Sequence, residues 1–222
     1  KHIRHYYAMI TGVDEQFGRI VDALDDAGLA EETIVVFTSD HGNCLGIHGH
    51  VTKNVPQEES MQVPLLVRFP GKLRPRREDL LISTPDLYPT LLDLMGLGEQ
   101  IPPGVEGTSH APLLLTGEGP RPTSQLYLWV PCEEPALGRR GVRTRAHTLV
   151  IERMPGQEER TILYDNVADS YQLENIAEDQ PEVVDRLIRE ELLPWLRRTD
   201  DPWLESEQSP QEKATTEKDR PQ

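Results

Sequence analysis

The chain has 222 residues, 36% of them hydrophobic and 27% charged, with a formal net charge of −15 and a pI near 4.9. That length fits one α/β domain with a small appendage, and no apolar run approaches the roughly 20 residues that cross a bilayer. A negative field of this size works against binding nucleic acid or anionic membranes.

The chain starts on Lys1, and "KHIRHYYAMITGVDEQFGRIVDALDDAGL" already reads as a helix. The expectation is therefore a C-terminal piece of a longer protein. Tyr6, Met9, Ile10, Val13, Phe17, Ile20, Val21 and Leu24 trace one apolar stripe at helical spacing. Gly28 stands where a C-cap glycine belongs. "TIVVFTS" is short and β-branched and reads as a buried strand, expected in a parallel sheet. Residues 43 to 60 lack periodicity and read as a loop. "QVPLLVRFPG" is a second strand closed by Pro70 and Gly71. "STPDLYPTLLDLMGLG" reads as a helix with Ser83 or Thr84 as cap and Gly96 as stop. The Gly/Pro-rich stretch "PPGVEGTSHAPLLLTGEGPRP" reads as a linker.

Beyond it, "SQLYLWV", "RGVRTRAHTLVIER" and "RTILYDN" read as short antiparallel strands. "QPEVVDRLIREELLPWLRRT" is an amphipathic helix that would cover them. The expected organisation is an α/β core over residues 1–118, an α+β subdomain over 119–200 and a polar, disordered tail over 201–222. Cys44 and Cys132 lie far apart and form no C-x-x-C motif, so both read as free thiols. The basic clusters "VRFPGKLRPRR" and "GRRGVRTR" read either as solvated faces or as a rim that guides an anionic substrate.

The chemistry concentrates where the first strand ends, at "SDHG". In open α/β sheets ligands bind beyond the carboxyl ends of strands. At a turn a carboxylate and an imidazole can converge on one cation, so Asp40 and His41 are candidate metal ligands. The alternative is that Asp40 caps a turn and His41 is incidental. "SDHGNCLGIHGHVTK" adds His48, His50 and Lys53 within one loop. Lys53 is either an ordinary solvated lysine or a point charge aimed at an anion.

Six pieces resemble, in the same order, the C-terminal portion of formylglycine-dependent sulfatases of the alkaline phosphatase superfamily, in the iduronate and choline sulfatase-like branch. They are "YYAMITGVDEQFGRIVDAL", "TIVVFTSDHGNCLGIHGHVTK", "EESMQVPLLVRFPG", "STPDLYPTLLDLMG", "RGVRTRAHTLVI" and "ILYDNVADSYQLENIA". The resemblance implies the C-terminal half of a mixed, mainly parallel sheet flanked by helices, followed by a small antiparallel sheet with one covering helix. It implies Asp40 and His41 at a divalent cation, Ca2+ by preference, with Mg2+, Mn2+ or Zn2+ as alternatives. Lys53 would contact the sulfate and share catalysis with His41. His48 would lie at the substrate or hold the loop. Apart from the resemblance, Arg139, Arg140, Arg143 and Arg145 are candidates to meet an anionic substrate group, with Arg143 the one singled out.

The implied reaction is hydrolysis of a sulfate ester, on a small molecule or a sulfated sugar. The family's nucleophile is a formylglycine made from a cysteine in a C-x-P-S-R-type motif. Neither "CLGIH" nor "CEEPA" matches that motif, so formylglycine is expected in an N-terminal half of the same fold, a partner to this chain. The chain alone is then expected to be inactive. Two departures stand out: Ile47 where the family often has an acid, and Gln62 where it often has Arg. The competing readings are a phosphodiesterase or phosphonate monoester hydrolase of the same superfamily, and a non-catalytic truncated homologue.

Overall fold

The computed structural model describes residues 2–131 and 133–204. Cys132 and the polar stretch from residue 205 onward lie outside the described residues. The chain divides into two units, Lys1–Asp79 with His110–Pro120, and Leu80–Ser109 with Arg121–Gln222.

The first unit opens with helix α1 (His2–Asp26). Gly28, at φ 68°, takes the left-handed conformation that ends it. Strand β1 (Val35–Thr38) follows, then a long loop, the single-turn helix α2 (Glu58–Met61) and strand β2 (Leu65–Arg68). The Phe17 and Phe37 rings pack at 4.8 Å between centroids, fastening α1 to β1. Arg68 Nη2 donates to Asp25 Oδ1 at 2.6 Å, which ties β2 to the end of the same helix.

β1 and β2 pair antiparallel, with Val35 opposite Arg68 and Thr38 opposite Leu65. The sequence reading expected a parallel, buried strand here. Among the described residues β1 has an antiparallel neighbour, and its side chains are half-buried. An apolar run shows that a strand wants covering, not which way its neighbour runs. The stripe on α1 is likewise only partly used. Phe17, Val21 and Leu24 are partly buried, while Met9, Ile10, Val13 and Ile20 are each about half exposed or more. The presumed linker contains helix α4 (Ala111–Thr116), whose Leu113 is buried. Arg76 Nη2 donates to the Leu113 and Leu114 carbonyls at 3.0 and 2.9 Å.

The second unit begins with α3 (Thr84–Leu94). The amide and hydroxyl of Ser83 both donate to Asp86 Oδ2, at 2.9 and 3.1 Å, closing the capping box at the expected residue. Strands β3 (Ser124–Trp129), β4 (Gly138–Thr144), β5 (His147–Arg153) and β6 (Arg160–Asp165) form one antiparallel sheet in sequence order. Helix α5 (Pro181–Leu187) continues through a widened π turn (Ile188–Leu192) into α6 (Leu193–Arg198). Pro194 explains the widening, because a proline ring clashes with the carbonyl four residues back in an ordinary helix. Val184, Leu187, Leu192 and Leu196 cover Val142, Leu149 and Leu163 of the sheet.

The sequence reading starts a polar tail at Asp201, yet Asp201 and Trp203 are buried. The cause is Arg140, which is fully buried on β4. Its Nε donates to Asp201 Oδ2 at 2.7 Å, and its guanidinium lies 4.8 Å from the Trp203 ring centroid. A charge with no access to water has to be paired, and the chain folds back to pair it.

Candidate metal and anion site

Asp40 lies one residue beyond the end of β1, after Ser39, and is largely exposed, with 80% of its side chain open to solvent. Its Oδ1 accepts the backbone N–H of His41 at 2.9 Å, which fixes the carboxylate beside the imidazole. His41 Nδ1 lies 2.7 Å from the Gly42 carbonyl, and Nε2 lies 3.4 Å from Asp40 Oδ2. A carbonyl can only accept, so Nδ1 carries the proton; in the neutral ring Nε2 then presents a lone pair. A carboxylate oxygen and an imidazole lone pair side by side suit a shared cation, and the carbonyl-anchored Nδ1–H is the usual outer support of a ligating histidine.

When His41 is protonated the pair instead attracts itself, and a cation would have to displace the Nε2 proton. Partial desolvation works to raise the Asp40 carboxyl. The His41 charge, the backbone N–H groups of His41 and of Asp40 itself, and the Lys53 charge together outweigh it, holding the carboxyl below its ordinary value. Lys53 is thus within electrostatic reach of Asp40, and it is solvent-exposed. Asp40 and His41 are in contact, with the Lys53 charge acting on Asp40. Among the described residues no third His, Cys, Asp or Glu joins them in a metal-binding cluster.

The loop that carries Lys53 is tightly bent. Leu45, His48 and Asn54 all have positive φ, at 52°, 56° and 71°. Such backbone in residues other than glycine costs about 1–3 kcal/mol apiece and persists only where the surroundings enforce it. Cross-loop bonds run from Cys44 N to Thr52 O at 2.7 Å and from Gly46 N to His50 O at 2.9 Å. Cys44 is fully buried, and burial together with the Glu59 charge pushes its thiol up, away from the nucleophilic thiolate.

The His48 side chain is 8% exposed, and its Nε2 lies 3.1 Å from Glu59 Oε2. Glu59 was not among the residues singled out in the sequence. Its one signal was its place in "EESMQVPLLVRFPG", a piece matched as a whole with no role given to the acid.

Within the second unit the basic stretch on β4 is largely committed. Arg140 is paired with Asp201 as above. Arg139 bonds Glu152 and lies over the Trp129 ring at 5.2 Å. That removes Arg140 from any substrate rim and leaves Arg139 tied down. Arg143 is partly buried near the end of the strand, where its guanidinium bonds the Thr144 carbonyl.

The sulfatase family model matches residues 1–97. Over 216 residues the chain is 43% identical to an endo-4-O-sulfatase of Bacteroides thetaiotaomicron, a match covering 90% of this chain and 42% of that one. Among solved structures, one from Bacteroides fragilis assigned to the sulfatases superposes with a TM-score of 0.87 at 39% identity, covering 93% of this chain and 44% of its own. A second, in complex with its substrate D-glucosamine-2-N,6-O-disulfate, gives a TM-score of 0.68 at 27% identity over 91% of this chain and 41% of its own. Phosphonate monoester hydrolase of Agrobacterium radiobacter follows at 29% identity and a TM-score of 0.70, covering 87% of this chain and 40% of that one. The chain thus spans less than half the length of the relatives it matches.

Proposed function

Because this chain belongs to the sulfatase family and corresponds to the C-terminal portion of its members, we propose that it supplies the cation-binding strand end and the sulfate-contacting lysine of a sulfuric ester hydrolase. The observation that carries this is the Asp40–His41 pair at the end of β1, with Lys53 acting on it electrostatically. A divalent cation suits the pair, and the Asp40 carboxylate favours calcium, a hard ion that prefers oxygen donors, with the His41 imidazole the weaker ligand. When bound, the cation supplies Lewis-acid stabilisation of negative charge on a sulfate oxygen.

The residues of this chain have separate tasks in that reading. Asp40 and His41 hold the cation. Lys53 places a positive charge near the sulfate and offsets the charge that grows as the S–O bond breaks. Its exposure within this chain is what a substrate-facing lysine needs. Arg143 is the candidate contact for an acidic group on the substrate. A sulfated sugar is the substrate class favoured, supported by the relative crystallised with a disulfated glucosamine.

Two ligands make an incomplete calcium site, since calcium takes about 6–8 oxygens. The remaining ligands and the formylglycine nucleophile would come from the rest of a sulfatase fold. That partner would also cover the open stripe of Met9, Val13 and Ile20 on α1. A second reading, phosphonate monoester hydrolysis, has the Agrobacterium structure in its favour, though at lower similarity than the leading sulfatase relatives.

The test uses the native polypeptide that carries this chain. It should release inorganic sulfate from a sulfated glycan oligosaccharide faster than it cleaves a phosphonate monoester. Asp40→Ala should abolish that release, and Lys53→Ala should lower kcat/KM by about 10²–10³. Full sulfate release by the Asp40→Ala protein would overturn the assignment.

A further inference from the structure

One half-buried acid, Glu59, has no part in the site described above. Glu59 lies on α2, just beyond Lys53 in sequence, and it touches the loop between Asp40 and Lys53 at its start and near its middle. Its backbone abuts the strand end: a Cβ at Gly42 would lie 2.1 Å from the Glu59 carbonyl oxygen, and Gly42 N donates to Ser60 O at 2.9 Å. Its side chain reaches the other way, to His48 Nε2 at 3.1 Å. His48 sits in left-handed backbone at φ 56°, five residues before Lys53, and its ring is nearly shut off from water.

An ionised carboxylate can only accept, so the 3.1 Å contact between His48 Nε2 and Glu59 is a hydrogen bond only when that nitrogen carries a proton. The bond therefore fixes the ring's orientation and its proton as well as its place. The bonds from Cys44 N to Thr52 O and from Gly46 N to His50 O carry that constraint across the loop to the segment holding Lys53.

We propose that Glu59 is a positioning residue, whose backbone braces the Asp40–Gly42 turn while its carboxylate clamps His48, so that Lys53 is held at a fixed distance from the cation ligands. It rests on the reading of Asp40, His41 and Lys53 given above. It also assigns His48 to the loop's support, one of the two roles the sequence left open for it. His48 and Glu59 would then act on catalysis through Lys53 and the cation, without touching substrate.

The experiment compares Glu59→Leu, which removes the acceptor, with Glu59→Gln, which keeps one, in the native polypeptide. Three readouts are taken: the His48 imidazole N–H resonance, amide hydrogen exchange at Cys44, Gly46 and His50, and calcium affinity by calorimetry. Glu59→Leu should erase the imidazole N–H resonance, speed exchange of those amides about tenfold and weaken calcium binding about fivefold. Glu59→Gln should restore slow exchange and calcium binding to within about twofold of wild type. If Glu59→Leu fails to fold, His48→Leu reads the same clamp from the other side and should speed the same amides. Unchanged exchange in Glu59→Leu or His48→Leu overturns the proposal, as does a Glu59→Gln protein as impaired as Glu59→Leu. A wild-type protein that binds no calcium would sink the metal reading, while the imidazole and exchange signals would still decide the role of Glu59.

Discussion

Replacing Asp201 with Ala gives a sharp measure of what holds the second unit together. Arg140 and Asp201 have side chains 1% and 6% exposed. Removing the carboxylate leaves a guanidinium that water cannot reach. It keeps the Pro135 carbonyl at 2.8 Å and longer contacts to the Leu137, Arg139 and Trp129 carbonyls at 3.3–3.4 Å. Those neutral acceptors hold its N–H groups but do not cancel its charge. Breaking one partner of a buried pair costs about 3–5 kcal/mol. The loss also removes the carboxylate that accepts Trp203 N at 2.9 Å, a local bond within that same figure.

The assay follows from where the tryptophans lie. All three, Trp129, Trp195 and Trp203, belong to the second unit, so their fluorescence in urea follows that unit's unfolding. With an m-value of about 2 kcal/mol per molar urea, a loss of about 4 kcal/mol lowers the midpoint by about 2 M. Glu159→Ala is the internal control, because Glu159 pairs with Arg153 with 48% of its side chain in solvent. Exposed pairs contribute less than about 1 kcal/mol, so its midpoint should move by less than about 0.5 M. Arg140→Met in the Asp201→Ala background should recover much of the loss, since an apolar side chain needs no counter-charge. An Asp201→Ala midpoint shift no larger than the control's would show that the Arg140 charge is solvated, and the account of why the chain folds back at Asp201 would fail.

Two further predictions concern backbone geometry and pH. Gly42→Ala would drive a Cβ into the Glu59 carbonyl, so it should displace α2 from the strand end and weaken calcium binding even though Asp40 and His41 are untouched; calorimetry checks it, and wild-type affinity refutes the close approach. The Asp165 carboxyl is held below its ordinary value of 3.8 by the backbone N–H groups of Ala168 and Val167, with His147 adding to them against a small desolvation effect. The stability it contributes is therefore complete above that ordinary value and is lost as pH falls through the lower native one. Asp165→Asn should have a lower Tm than wild type at neutral pH, with the gap closing in strong acid, and a gap independent of pH would contradict the assignment.

How much the sequence disclosed depended on the range of each interaction. The α3 cap was legible because Ser83 and Asp86 are three residues apart and their chemistry is local. The antiparallel sheet was legible because its strands are adjacent in sequence, although the tight turn that divides "RGVRTRAHTLVIER" into β4 and β5 was not. The direction of β1's neighbour was not, because pairing is decided by a strand 30 residues away. Helix α4 was hidden among prolines and glycines because six residues give too little periodicity to read. The return of Asp201 to Arg140 spans 61 residues and joins two charges that each looked like surface.

The candidate site divides along the same line. Asp40 and His41 could be named because a polar pair ending an apolar strand is a local anomaly. Lys53 could be named because the spacing of its loop resembled a family. Glu59 could not, because its function is expressed only after the loop bends back through Leu45 and His48 in left-handed backbone. The "ILYDNVADSYQLENIA" element shows the converse. It supported the resemblance strongly, yet its polar side chains serve the backbone: Asp169 Oδ2 accepts Leu173 N and Glu174 N, and Asn175 Oδ1 accepts Leu163 N. Asp169 and Asn175 of that motif are thus engaged in building the fold.

The chemistry proposed for this chain instead rests on two side chains at the end of β1 and a lysine displayed by a strained loop. Its ligand shortage and the uncovered α1 stripe belong to the same unit. A cation held by one carboxylate and one imidazole binds weakly, and an apolar helix face left in water weakens the unit that presents them. Covering that face and completing that coordination shell are, on this reading, one event. Calcium affinity and the stability of the first unit should therefore rise together when the rest of the fold is present.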